Sequence, residues 1–269
     1  GELYLPPGTY NMTGRLSTTK ALTIRFAPGA SMRVDGSIDG PQRLLQVGDG
    51  TTPIDGTRII SPTLDGNRSG RSGSDSVGGQ LLGLLGPLTD VMVQQGEFFD
   101  HYGGSVEMTG ESGSNRAEDV LFQNCRIDTV GEGPKIEHTD RFRWVGGSIT
   151  NMTSQDNFEP HGNCDDWVLR DCYLAGPGPG NSVIEVFPQV GDINGGLIEN
   201  VTLGDGEMRV ALGSGTASGD NVVKNITVRD STFFARIIVG INGKWDGKMH
   251  FINSDFIGPP VNDTSQGNA

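Results

Sequence analysis

Val120-Leu121-Phe122, Asn124 and Ile127 set out the pattern that decides the fold: an in-out-in apolar run, a polar corner two residues on, and a second apolar position three residues beyond that. The same spacing recurs at Val91-Met92-Val93 with Gln95 and Phe98, and at Phe142-Arg143-Trp144 with Gly146 and Ile149. It continues at Trp167-Val168-Leu169 with Asp171 and Leu174, and at Gly196-Leu197-Ile198 with Asn200 and Leu203. Ile226-Thr227-Val228 with Asp230 and Phe233, then Met249-His250-Phe251 with Asn253 and Phe256, complete the set. The final apolar positions lie 29, 22, 25, 29, 30 and 23 residues apart. Ile59-Ile60 with Leu64, and Ile24 with Met32, extend the pattern less cleanly.

Such intervals describe a fixed coil of twenty-odd residues that tolerates variable loops. Each unit reads as two short strands joined by a tight bend, because alternation of period two places one face inward. Asn, Asp or Gly suits the bend, since these residues accept a left-handed backbone. Stacking the coils would align the corners in a buried column, an asparagine ladder in which side-chain amides bond from coil to coil. Leucine-rich repeats share the period, but their Leu-x-x-Leu-x-Leu signature is missing. A β-sandwich would not keep one corner type in phase over seven turns. The expected fold is all-β, a right-handed single-stranded parallel β-helix of about nine to ten coils over residues 1–260. Residues 261–269 read as a flexible polar tail.

Composition narrows the function. The chain of 269 residues holds 42 Gly and 14 Pro and carries a net charge of -13. No segment keeps a helical apolar period for long, and no apolar run approaches the roughly 18 to 20 residues of a membrane span. A basic patch is lacking and the acidic balance repels nucleic acid. Asp outnumbers Glu by 22 to 11 and Arg outnumbers Lys by 15 to 5. That balance resembles proteins of salt-loving archaea and their viruses, in which acidic surfaces stay hydrated when salt screens repulsion. Cys125, Cys164 and Cys172 form neither a disulfide framework nor a zinc site; Cys125 and Cys172, two rungs apart in one inward column, are expected as core thiols, and Cys164 has no visible partner.

A closed coil needs a third strand after the second. Candidates are Ser105-Val106-Glu107-Met108, Lys135-Ile136-Glu137-His138, Asn157-Phe158-Glu159-Pro160, Val183-Ile184-Glu185-Val186 and Arg209-Val210-Ala211-Leu212. With Val106, Ile136, Phe158, Ile184 and Val210 inward, alternation turns Glu107, Glu137, Glu159 and Glu185 outward in one column. Like charges stacked on a sheet repel by up to about 1 kcal/mol per pair. A column of this kind points to a cation, a raised pKa or substrate chemistry.

Gly1-Glu2-Leu3-Tyr4-Leu5-Pro6-Pro7-Gly8-Thr9-Tyr10 resembles the opening coil of pectate-lyase-like β-helix proteins, including viral tailspikes. The resemblance extends from residue 1 to about residue 258. It implies that a sugar chain lies along the outside of the third-strand sheet, in a groove walled by loops. The helix that usually caps the first coil of that family is not visible, so a longer precursor is expected. The polygalacturonase motifs and the pectate-lyase arginine motif are missing, with His161-Gly162 and Asp165-Asp166 only fragments of the former.

Two chemistries fit the outward column. Glycosidases place two carboxyl groups about 5 to 5.5 Å apart for retention or about 6.5 to 9.5 Å for inversion. Neighbouring rungs lie about 4.8 Å apart and alternate rungs about 9.6 Å, so Glu137 with Glu159 or Glu185 would serve. A lyase would instead hold Ca²⁺ on Glu137, Glu159 and Glu185, with Lys135, His161 or Arg209 as base. Glu107, Tyr102, Asn157, Phe187 and Arg209 are expected to bind substrate, Phe187 as a plate for a sugar ring. The expected function is binding and cleavage of a polysaccharide or cell-surface glycan, outside the cell or on a virion. The rival is a non-catalytic adhesin or virion spike, a homotrimer in the viral case, that uses the helix as a rigid rod. Six Asn-x-Ser/Thr triplets suggest a glycoprotein, with Asn67 and Asn262 as the expected acceptors.

Overall fold

The computed structural model describes residues 1–269 except 37–42, 71–78, 110–114, 211–220, 240–243, 246–247, 258–261 and 264–269. Every pairing between its named strands is parallel, and each strand pairs with its equivalent one coil away, as Glu2–Leu5 does with Thr23–Phe26. The chain is therefore a parallel β-helix. Its first and second strands form one 21-stranded sheet that wraps around the corners. Among the described residues the third strand is formed ten times: Leu16–Thr18, Leu45–Val47, Gln80–Leu85, Gly104–Thr109, Lys135–Ile136, Glu159–Pro160, Ile184–Val186, Glu207–Val210, Arg236–Val239 and Asn262–Asp263. The last of these pairs with Ile238 and Val239, so the segment read as a tail contributes a rung to the stack.

The corners fall where the sequence pattern puts them. Gln95, Asn124, Gly146, Asp171, Asn200, Asp230 and Asn253 all have positive φ, between 46° and 77°. The proposed ladder, however, is not buried. Six of the seven corners are exposed, and among the described residues their side chains bond only in pairs: Ser61 to Gln95 at 3.3 Å, Asn200 to Asp171 at 2.7 Å and Asn253 to Asp230 at 3.4 Å. Asn and Asp are selected here for backbone conformation at a wet bend, not for a dry amide column. At Gly147 the requirement for glycine is stricter, because φ is +85° and an added Cβ would lie 1.9 Å from the Cys125 carbonyl oxygen.

The lumen is dry and aromatic in its middle coils. Phe122 stacks on Trp144 at 5.2 Å between ring centroids, Phe142 on Phe158 at 5.8 Å, and Phe158 tilts against Trp167 at 5.8 Å. Each such ring removes from water an apolar surface worth about 1.5 to 3 kcal/mol. Cys125 and Cys172 are buried free thiols, as expected; Cys164 is buried and free as well, and burial pushes each of the three up to about 12. His138, which alternation from an inward Ile136 would turn inward, is instead a half-exposed corner at φ +48° that meets Asn163 at 3.0 Å.

One discontinuity matters for the site. The third strands form a six-stranded sheet ending at Glu159–Pro160 and a four-stranded sheet beginning at Ile184–Val186. The amides of Glu185 and Phe187 still reach the carbonyls of Phe158 and Pro160, at 3.0 and 2.8 Å. Pro160 has no N–H with which to return a bond, so the ladder is one-sided at this joint.

Candidate functional site

The outward face of the third strands does not carry the column read from the sequence. Glu107 pairs with Lys135, and Lys135 with Glu159. Glu185 follows on the next rung, through its backbone bond to Phe158, and Arg209 pairs with Glu185. Glu137 is displaced into the adjacent column, where the His161 amide bonds to the Ile136 carbonyl at 2.8 Å and so sets His161 beside it. The outward order is therefore Glu107, Lys135, Glu159, Glu185, Arg209. A cation interrupts the acids, which is the arrangement that cross-strand electrostatics favours.

Glu137, His161, Glu159 and Lys135 converge. His161 Nδ1 lies 2.6 Å from Glu137 Oε1, and its Nε2 lies 3.3 Å from Glu159 Oε1. Lys135 Nζ lies 3.3 Å from Glu137 Oε1. The imidazole is thus held between two carboxyl groups while only 5% of the His161 side chain is exposed. The edge of the Phe187 ring closes it off, with centroids 5.0 Å apart.

The carboxyl groups differ sharply in their affinity for protons. Burial, reinforced by the charge of Glu132, pushes Glu159 up to about 9. Burial and the neighbouring Asp156 push Glu185 up to about 8. Burial raises Glu132 and Asp156 as well. Burial also acts on Glu137, but the hydrogen bond to His161 and the charge of Lys135 outweigh it and hold this carboxylate below its usual range. Lys135 is raised: burial opposes its charge, and Glu159, Glu137 and Glu132 together overcome that. Glu132 bonds to Glu159 and Asp156 bonds to Glu185, carboxyl to carboxyl, which requires that each pair retain a proton near neutral pH.

Glu132 and Asp156 are absent from the sequence reading. The signal was an acid three residues before the outward position of two successive coils, Glu132 before Lys135 and Asp156 before Glu159. A third omission is Arg43, whose Nε bonds to Glu107 Oε2 at 2.8 Å and so occupies that carboxylate.

The other expected substrate contacts are dispersed. Asn157 points inward with no exposed surface, and its amide ties Ile149 O to Ala175 O at 2.9 and 2.8 Å. Phe187 is 9% exposed, so its ring is cover for His161 and not an open plate. Tyr102 lies under the Arg68 guanidinium, 4.9 Å from it. Arg209 bonds to Glu207 at 2.8 Å and to Gly180 O at 3.0 Å. It also borders an open hollow of about 490 Å³ walled by residues 176–181 and Asp205, Gly206 and Glu207. That hollow extends the face past Glu185.

Among the described residues no three His, Cys, Asp or Glu side chains are placed to hold a metal ion. Of the acids proposed as Ca²⁺ ligands, Glu137 has its Oε1 engaged by Lys135 and His161, and Glu159 has its Oε1 engaged by His161. Asn67 is not an open glycan acceptor. It is 8% exposed and its Nδ2 donates to Val34 O at 3.0 Å. The side chain of Asn262 lies outside the described residues.

The face combines a proton-holding carboxyl, an oriented imidazole, an ionised carboxylate and an ammonium within one patch. Such a set is chemically able to transfer protons. No protein-family profile matches the sequence, and a search of curated proteins gives no match. Solved structures do match. The pectate lyase Pel9A superposes with a TM-score of 0.50 at 12% identity, over 100% of this chain and 72% of that one. The Streptococcus pneumoniae surface protein and adhesin PfbA gives 0.49 at 11%, over 97% and 90%. The A-module of the Azotobacter vinelandii mannuronan C-5 epimerase AlgE4 gives 0.41 at 14%, over 97% and 88%. No helix of the described residues is long and apolar enough to cross a membrane. The chain shares the right-handed parallel β-helix fold with the pectate lyase Pel9A.

Proposed function

We propose that this chain is an extracellular carbohydrate-active β-helix that binds a polysaccharide along its third-strand face and cleaves it by proton transfer. The observation that carries this reading is the clamp of His161 between an ionised Glu137 and a protonated Glu159. Neighbouring acids whose pKa values are pushed apart divide the acid and base roles between them.

In this reading Glu137 holds the imidazole through Nδ1, and Nε2 faces Glu159. As the glycosidic bond breaks, Glu159 donates its proton to the leaving sugar oxygen, Glu137 takes a proton from the water that attacks the anomeric carbon, and His161 relays a proton from Glu137 back to Glu159. Lys135 keeps Glu137 ionised and offers its ammonium, with 29% of the side chain exposed, to a sugar hydroxyl or carboxylate. Glu185 and Arg209 lead the chain toward the hollow beside residues 176–181.

The test is a panel of neutral and uronate polysaccharides, in high and low salt and with and without Ca²⁺. Products are read as new reducing ends and as the ultraviolet absorbance of unsaturated sugars. Reducing ends without absorbance support hydrolysis, and absorbance supports elimination. No product from any polymer would remove the enzyme reading and leave the rod-like adhesin or spike in its place.

A further inference from the structure

A second concavity lies on a different face, outside the second strands. It measures about 330 Å³ and is lined by Glu97, Phe98, Phe99, Asp100, Arg126, Asp128 and Thr129. Two adjacent coils build it. Glu97 pairs with Arg126 and Phe99 with Asp128, so alternation turns all four side chains outward while Phe98 fills the lumen at 1% exposure. Phe99 stands half-exposed at the sheet surface, without a ring partner among the described residues.

The polar groups around the ring are set but not exhausted. Arg126 donates through Nη2 to Asp128 Oδ2 at 2.7 Å, and 60% of its side chain is exposed, so the rest of the guanidinium faces solvent. Asn151 at 2.8 Å and Thr129 at 3.2 Å hold the other oxygen of Asp128. Asp100 takes the amide and hydroxyl of Ser69 on Oδ2, and among the described residues its Oδ1 takes no hydrogen bond. Glu97 is exposed and forms no side-chain bond among the described residues.

An apolar plate ringed by fixed hydrogen-bonding groups matches one chemistry well. A pyranose ring presents a flat face of C–H bonds and an equator of hydroxyls that both donate and accept. Its C–H face covers an aromatic ring, the acids accept from its hydroxyls and the guanidinium donates to them. The volume falls at the low end of the roughly 300 to 1,000 Å³ typical of small-molecule sites. Three carboxylates against one guanidinium repel an anionic sugar.

We propose that the concavity around Phe99 is a second, non-catalytic subsite that binds a neutral sugar residue of a polysaccharide. It does not depend on the chemistry proposed for the Glu159 face. Two sites on different faces of one rod would let the protein hold a polymer in one place and act on it in another.

Native gel electrophoresis through gels containing galactomannan, xylan or mixed-linkage β-glucan, with alginate as the acidic comparison, tests this. The parent chain should be retarded by at least one of the neutral polymers. Phe99→Ala and Phe99→Leu should each reduce that retardation at least about fivefold, with the leucine variant keeping the packing that alanine removes. Arg126→Ala should weaken it, and Ser17→Glu, on an exposed rung outside both sites, should leave it unchanged. Migration of the parent as in a blank gel with all three neutral polymers overturns the proposal. So does retardation by alginate alone, or retardation of a folded Phe99→Leu variant equal to that of the parent. Because cleavage is measured separately, a protein that cleaves without being retarded loses only this site, and one that is retarded without cleaving loses only the enzymatic reading.

Discussion

The first three coils and the next five differ at the same outward position of the third strand. Early in the chain the position holds Ser17, Gln46 and Gly83, and afterwards Glu107, Lys135, Glu159, Glu185 and Arg209. Both stretches pair in parallel and both close over a buried apolar lumen. The coil therefore does not need charge at that position. Five charged residues in succession, two of them raised to about 8 and 9, are a local addition that opposes folding through burial. A feature that costs stability and that the coil does not need is what the proposed site requires.

The largest expected effect tests that contrast directly. Glu159→Gln should lower turnover on any cleaved polymer at least about 100-fold, as loss of a general acid does. Its melting temperature should stay level or rise, since glutamine removes a titratable group from a crowded patch. A variant as active as the parent would show that the charged stretch is surface coating.

Lys135→Met comes next. It leaves Glu137 ionised beside the raised Glu132 and Glu159 without a counter-charge, and should cost about 1 to 3 kcal/mol in urea unfolding. No change would mean that solvent already screens the cluster.

The pH dependence of stability is a smaller effect with a definite sign. Glu159 and Glu185 hold their protons more tightly folded than unfolded, so their contribution is complete below the unfolded value of about 4.5 and is lost as pH rises toward 8 and 9. The melting temperature should fall between pH 5 and 9, and fall less in Glu159→Gln. Glu137, which is lowered, acts with the opposite sign and only at acid pH. The smallest effect belongs to the neutral stretch: Ser17→Glu, on an exposed rung, should change stability by no more than about 0.5 kcal/mol and leave turnover alone.

The architecture was legible because inward alternation and left-handed corners are local demands, repeated in phase. The register of the Lys135 rung was not. The lumen takes two inward residues from a third strand, such as Val106 and Met108, and both are apolar. Ile136 fits against either, and a two-residue slip preserves alternation, so nothing in the pattern separates Lys135 from Glu137 as the partner of Glu107. The roles of Asn157, Phe187 and Asn67 were illegible for another reason. Each depends on what covers it: the backbone of neighbouring coils at Asn157, the His161 ring at Phe187 and the Val34 carbonyl at Asn67. Tertiary cover leaves no trace in spacing.

The missing N–H of Pro160 has a mechanical consequence. In a stacked-repeat protein, stability accumulates from each coil gripping the next, so a joint short of one backbone bond is a seam between two cooperative blocks. Asp156 lies on one side of that seam and Glu185 on the other, and the proton they share acts as a stitch across it. Protection of the Glu185 and Phe187 amides against hydrogen exchange should therefore drop as pH rises through about 8, while that of the unbroken rungs around Leu82 and Val106 holds. Titrating one carboxyl pair would loosen the rod at a single point along its length, beside the residues proposed to grip the polymer.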